Sequence, residues 1–238
     1  MSDPAALANE RSGGSLARQA MQAVTAHIRN HALRVGDTLP GEGHFAVALG
    51  VSRAVMREAF GALAALNVIE VANGRRPRVA ALDGSVMATS LEHALSTAQV
   101  GVAQIWDVRR TLELRTAFLA AQNRTRAEAA RLVEIAEAMT RDADDLSVMT
   151  AHDIAFHQII ARASRNELFS QIVSAFGPMM EISVPTAWRT RVAIDQRQVM
   201  LDRHQDVAHA IAAADPQAAQ AAMAAHFDES IGDLLAAS

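Results

Sequence analysis

The chain has 238 residues, half of them hydrophobic, with 22 Arg, no Lys and no Cys. That length holds one large domain or two small ones, and the missing cysteine excludes disulfides and thiolate metal centres and points to a reducing cytoplasm. The net charge of −4 argues against a nucleic-acid partner, but its distribution argues for one: residues 1–80 carry nine Arg against six acidic residues, residues 81–238 thirteen against twenty.

No apolar run approaches the roughly 18 residues of a membrane span. The N-terminal MSDPAALANERSGG has no cationic region followed by an apolar one, so residues 1–14 read as a mobile tail and not as a signal peptide. Ser15 can cap a helix from Leu16 to about His31, with Leu16, Ala20, Val24 and Ile28 on one stripe. Two further helical patterns follow. Glu42 to Leu49 places Phe45, Ala46 and Leu49 on one face, and Gly50 tolerates the positive φ of a helix end. Ser52 can cap the next helix, Arg53 to Leu66, whose Val55, Met56, Ala59, Phe60, Leu63 and Leu66 are expected to face a core.

Arg53 and Arg57 stand four apart on the other face of that helix. A helix-turn-helix needs such a second helix, entering the major groove N-terminus first. Arginine suits guanine because its planar fork meets O6 and N7 together. Two arginines alone would more simply be a solvated face, but the following residues complete a module. Val68 to Ala72 is β-branched, Asn73-Gly74 signals a hairpin turn, and Arg75, Arg76 and Arg78 follow. A basic hairpin beside a helix-turn-helix makes a wing whose tip tracks phosphates or the minor groove.

Residues 80–85, AALDGS, form a break taken as the boundary between a winged helix-turn-helix domain, 15–80, and a second domain, 81–238. From Val86 onward only helical periodicity is found, in about seven helices, so the second domain is expected to be an all-α bundle and the whole fold mainly α. Thr125 and Glu128 have capping-box spacing, Gly177-Pro178 is expected to kink or end a helix, and PTAWRT (Pro185–Thr190) reads as irregular.

The bundle also carries candidate chemistry. Asp153 and His157 share a helix face at i, i+4, and His204 and His226 lie on two later helices. One carboxylate and three imidazoles can meet around a divalent ion such as Zn or Ni in a bundle core. The plainer alternative is a surface Asp–His pair and two unrelated histidines. Arg109 and Glu113 share a face as well, either as an internal ion pair or with Arg109 free to grip a carboxylate. Trp188 and Arg189 offer a ring and a guanidinium to a pocket mouth, or pack a loop.

LPGEGHFAVALGVSRAVMREAFGAL resembles the LPsE-x-x-La-x-x-lgVSR-x-x-vREAL signature of GntR-type winged-helix transcription factors over roughly Leu16 to Val79. By position the resemblance implies that Ser52, Arg53 and Arg57 contact bases and phosphates and that Gly74 and Arg75, with Arg76 beside them, form the wing tip. Gly43 stands where the family often has Arg, and Arg-Arg-Pro replaces its Gly-x-Gly wing ending. Val108–Ala121, Asp153–Phe169 and Arg203–Phe227 resemble successive segments of the ligand-binding FCD-type domain of the FadR branch. That resemblance implies Asp153, His157, His204 and His226 as metal ligands and Arg109 as a pocket arginine. The residues themselves add Glu113, Trp188 and Arg189 to the expected effector site.

The expected function is therefore a cytoplasmic, homodimeric transcriptional repressor. It would bind an inverted-repeat operator in double-stranded DNA and be released by a small carboxylate, a hexonate, uronate or other hydroxy acid, at a divalent metal. The alternative is a metal-dependent enzyme acting on a hydroxy acid, with the N-terminal domain as a tether. Four protein ligands leave less room for catalysis than three, which favours the regulator.

Overall fold

The computed structural model describes residues 4–190 and 194–236. The chain divides into two compact units between Val86 and Met87. Among the described residues no helix is long and apolar enough to cross a membrane.

The first unit contains α1 (Pro4–Asn30), α2 (Glu42–Leu49), α3 (Arg53–Ala65) and the strands β1 (Ile69–Glu70) and β2 (Arg78–Val79). Helix α1 starts well before the Ser15 cap position and takes in most of the expected tail, with Pro4 at its first position, where no amide hydrogen is needed. Ala20 and Val24 of α1 meet Phe45 of α2 and Met56, Phe60 and Leu63 of α3 in a small core. The turn between α2 and α3 follows from three residues. Gly50 ends α2 in the left-handed region at φ 65°, Val51 donates its amide to the Ala46 carbonyl, and Ser52 accepts the Val55 amide.

The strands pair antiparallel, Ile69 opposite Val79 and Glu70 opposite Arg78. The sequence does not announce a third partner. Thr38 bridges to Arg78, and the Leu39 amide donates to the Pro77 carbonyl at 2.8 Å, so the segment before α2 stitches the base of the wing.

The regular elements of the second unit, among its described residues, are all helices: α4 (Ser85–Ser96, whose first two residues fall in the first unit), α5 (Val102–Asn123), α6 (Arg126–Arg141), α7 (Leu146–Ala163), α8 (Glu167–Ala175), α9 (Gly177–Thr190), α10 (Ile194–Ala212) and α11 (Pro216–Ala236). Helix α5 packs on α7 and α11, and α10 packs on α6 and α11. Alanines at these contacts, among them Ala117, Ala120, Ala208 and Ala219, are fully buried, and their small size lets the helix axes approach. The Thr125–Glu128 capping box forms at the start of α6. Arg165 turns the chain at φ 58°, and Asn166 caps α8.

Two expectations change around α9. The break falls at Phe176, and Gly177-Pro178 opens the next helix, where a proline in the first turn costs no hydrogen bond. PTAWRT is not irregular: α9 runs through Pro185 to Thr190. Pro185 cannot donate to the Glu181 carbonyl, a defect of about 3 kcal/mol in a helix interior, yet the turn holds, with Thr186 Oγ1 donating to the Ile182 carbonyl at 2.8 Å. The bundle thus has eight described helices where sequence periodicity suggests about seven.

Candidate functional site

In the first unit, Ser52, Arg53 and Arg57 are exposed at the N-terminal end of α3 while Met56, Ala59 and Phe60 are buried. This end also carries the positive pole of the helix dipole. Ser52 Oγ accepts the Val55 amide at 3.2 Å, which leaves the hydroxyl proton able to donate to a phosphate. In the wing, the Arg75 amide donates to the Ala72 carbonyl at 3.2 Å, closing a turn with Asn73 and Gly74 at its centre. Of these two, only Gly74 has positive φ, 72°, the type II pattern. The loop between the strands spans residues 71–77, longer than a two-residue hairpin, and Arg75 and Arg76 are exposed on it.

In the second unit, α5, α7, α10 and α11 each bring polar side chains into an otherwise apolar core. Arg109, Glu113, Asp153, His157, His204 and His226 are all buried. One nitrogen from each of His157, His204 and His226 lies within 4.8 Å of the other two, and together these imidazoles could hold a metal ion. Asp153 stands beside them, with Oδ1 2.9 Å from His204 Nε2. A cavity of about 30 Å³ opens among Asp153, the three histidines, Arg109 and Trp188. That is room for an ion and a water or two.

The hydrogen bonding around His204 fits an ion. Its Nδ1 is 2.9 Å from the Met200 carbonyl, which can only accept, so Nδ1 carries the proton. Its Nε2 then faces the Asp153 carboxylate, and the contact is favourable only when a second proton or a cation serves both atoms. Two ligands at right angles on an ion with bonds of about 2.1 Å stand about 3 Å apart, close to the observed separation. His157 is oriented differently: its Nδ1 bonds Glu113 Oε2, which turns Nε2 toward the other rings. A carboxylate behind a ligating histidine fixes tautomer and ring plane.

Burial alone would push both carboxylates up. For Glu113 the charges of Arg109 and His157 outweigh it and hold the group below its ordinary range. For Asp153 the His204 hydrogen bond and the nearby charges bring it to about 2. Both are therefore anionic at neutral pH.

Arg109 is held by three neighbours. Nε donates to Glu113 Oε1 at 2.8 Å, and the guanidinium carbon lies 4.8 Å from the Trp106 ring centroid and 5.4 Å from that of Phe227. Its Nη2 is buried and, among the described residues, has no hydrogen-bond partner. A cationic donor left this way is costly, and a carboxylate at the cavity would relieve it.

The effector residues expected from sequence separate here. Trp188 is buried and lines the cavity, with Arg197 5.4 Å from its ring. Glu113 does not line it, because Arg109 and His157 take both its oxygens. Arg189 is exposed and borders a different cleft with Thr150 and Glu181. With α9 helical there, Arg189 is turned about 100° from Trp188. The Met200 carbonyl and the Trp106–Phe227 bracket escaped the sequence reading, since nothing in local spacing ties them to His204 or Arg109.

Residues 16–79 match the gntR family of bacterial regulatory proteins, and residues 104–229 match the FCD domain. The chain belongs to the GntR family. The regulator is 29% identical over 201 residues to the HTH-type transcriptional regulator LutR of Bacillus subtilis, covering 84% of this chain and 92% of that one. It is 30% identical over 200 residues to the Glc operon transcriptional activator of Escherichia coli, covering 82% and 79%. It is 26% identical over 204 residues to the transcriptional repressor NanR of Salmonella newport, covering 84% and 78%. A Streptococcus agalactiae GntR structure shares the fold, with a TM-score of 0.66 at 23% identity over 90% of this chain and 97% of that one. Family and relatives are DNA-binding transcriptional regulators and not enzymes, so the tethered-enzyme alternative is set aside.

Proposed function

We propose that the regulator binds an inverted-repeat operator as a homodimer and senses a small hydroxy acid at a divalent metal in its FCD domain. Arg53 and Arg57, with the Ser52 hydroxyl, read the major groove, and Arg75 and Arg76 beside Gly74 hold the flanking phosphates. Asp153, His157, His204 and His226 hold the ion, Zn or Ni by donor type. The ion supplies positive charge and open positions for a carboxylate and its adjacent hydroxyl. Arg109 Nη2 takes the carboxylate, and Trp188 closes the cavity wall.

One observation carries this reading: three buried imidazoles converge beside a buried guanidinium whose Nη2 has no hydrogen-bond partner among the described residues. Effector binding is proposed to release the operator, as in a repressor. Similar relatives include one named an activator and one named a repressor, and an operator-binding titration with the acid reads the sign for this regulator.

Thermal-shift titration of the metal-loaded protein tests the site. A ligand that binds only the folded state raises the melting temperature by mass action. A hydroxy acid is expected to raise it, and chelation or Arg109→Ala to abolish the rise. A rise that survives chelation contradicts the metal-centred site.

A further inference from the structure

A second cavity, of about 230 Å³, adjoins the first and shares Trp106, Arg109 and Ser183 with it. Its remaining walls are mainly apolar: Leu95 of α4, Ile105 of α5, and Phe176, Met179 and Ile182 near the α8–α9 junction. Ile105, Phe176 and Met179 form a buried cluster of their own, and Ile182 is 66% exposed at the rim. Of the polar side chains here, the Thr186 hydroxyl already donates to the Ile182 carbonyl. Arg109 and Ser183 stand where the two cavities meet.

We propose that this chamber receives the apolar arm of an amphiphilic 2-hydroxy acid whose carboxylate and hydroxyl lie at Arg109 and the imidazole cluster. The inference rests on the effector reading above and deepens it by naming the ligand class. The polar cavity, about 30 Å³, fits only a head group. An apolar cavity of about 150 Å³ accepts benzene, so the chamber has room for a phenyl ring or a branched alkyl group. The hydroxyls of a hexonate would lose their water against Leu95, Ile105 and Phe176 without gaining partners there. The sugar acids expected from sequence therefore fit this chamber poorly. Arg109 joins the halves: it lines both cavities, its Nη2 is buried with no hydrogen-bond partner among the described residues, and its guanidinium lies over the Trp106 ring.

Calorimetric titration of the metal-loaded full chain with lactate, 3-phenyllactate and gluconate tests the proposal. 3-Phenyllactate is expected to bind at least tenfold more tightly than lactate, and gluconate no more tightly than lactate. Met179→Trp fills the chamber and should remove the 3-phenyllactate advantage while leaving lactate affinity unchanged. Ile182→Asp, at an exposed position that folding tolerates, puts a charge at the rim and should cut the advantage at least threefold.

Equal affinity for lactate and 3-phenyllactate overturns the apolar arm and leaves the metal-centred site standing. An advantage that survives both substitutions also overturns it. If the protein holds its metal but binds none of the three acids, the effector reading falls and this inference falls with it.

Discussion

Glu113 does more than its position in the sequence suggests. It lies outside the cavity wall, yet it orients both the guanidinium of Arg109 and the ring of His157. Glu113→Gln preserves shape and removes the charge between them. Metal affinity is expected to fall about 10- to 100-fold, the usual cost of losing a group that orients a ligand, measured by competition with a chromogenic chelator. Unchanged affinity would show that His157 needs no carboxylate behind it. The i, i+4 spacings made Asp153–His157 and Arg109–Glu113 legible in the sequence. The His157–Glu113 contact was not, because it joins residues 44 apart on different helices. His204 and His226 were singled out through their match to a family, since spacing cannot say that two later helices bring them to one point. The separation of Arg189 from Trp188 has a physical reason: Pro185 suggests a broken helix, and the unbroken helix points the two neighbours toward different clefts.

At the scale of elements, short capping signals carry much of the fold. Gly50 at φ 65° sets the turn from α2 to α3, and a Cβ there would meet nothing within 4 Å. Gly50→Ala is therefore expected to cost about 1 kcal/mol through backbone strain alone, read as a lowered denaturant midpoint of the first unit. No loss would mean that the turn tolerates another conformation. At the start of α6, the Arg165 hydrogen bond outweighs burial and, with the Thr125 amide and hydroxyl, holds Glu128 at about 2, below the ordinary 4.5. A depressed carboxylate contributes stability that is fully present above the unfolded value and lost as pH falls through the folded one. The stability difference between wild type and Glu128→Gln should thus be full near neutral pH and shrink between about 4.5 and 2. A pH-independent difference in thermal melts would contradict it. The helix-turn-helix was legible because its caps and apolar faces are local. The Thr38–Arg78 bridge was not, because it pairs residues forty apart through backbone atoms.

At the scale of the molecule, charge is unevenly divided along the chain. Residues 1–80 carry an excess of Arg and residues 81–238 an excess of acid. Phosphate contacts release counterions, so operator affinity should fall steeply with salt, and removing one contacting arginine should lower the logarithmic slope by about one. If the second unit senses as proposed, an acid held at the histidine cluster controls DNA binding by the first. The most direct measurement is anisotropy of a labelled duplex, selected from a random pool by the full-length protein, titrated with metal-loaded protein with and without 3-phenyllactate. The account predicts that the acid weakens binding at least tenfold in the wild type and has no effect in His204→Ala, while Arg53→Ala loses about 1–3 kcal/mol of affinity with or without it. Equal weakening in His204→Ala and wild type, or operator affinity untouched by Arg53→Ala, would contradict it.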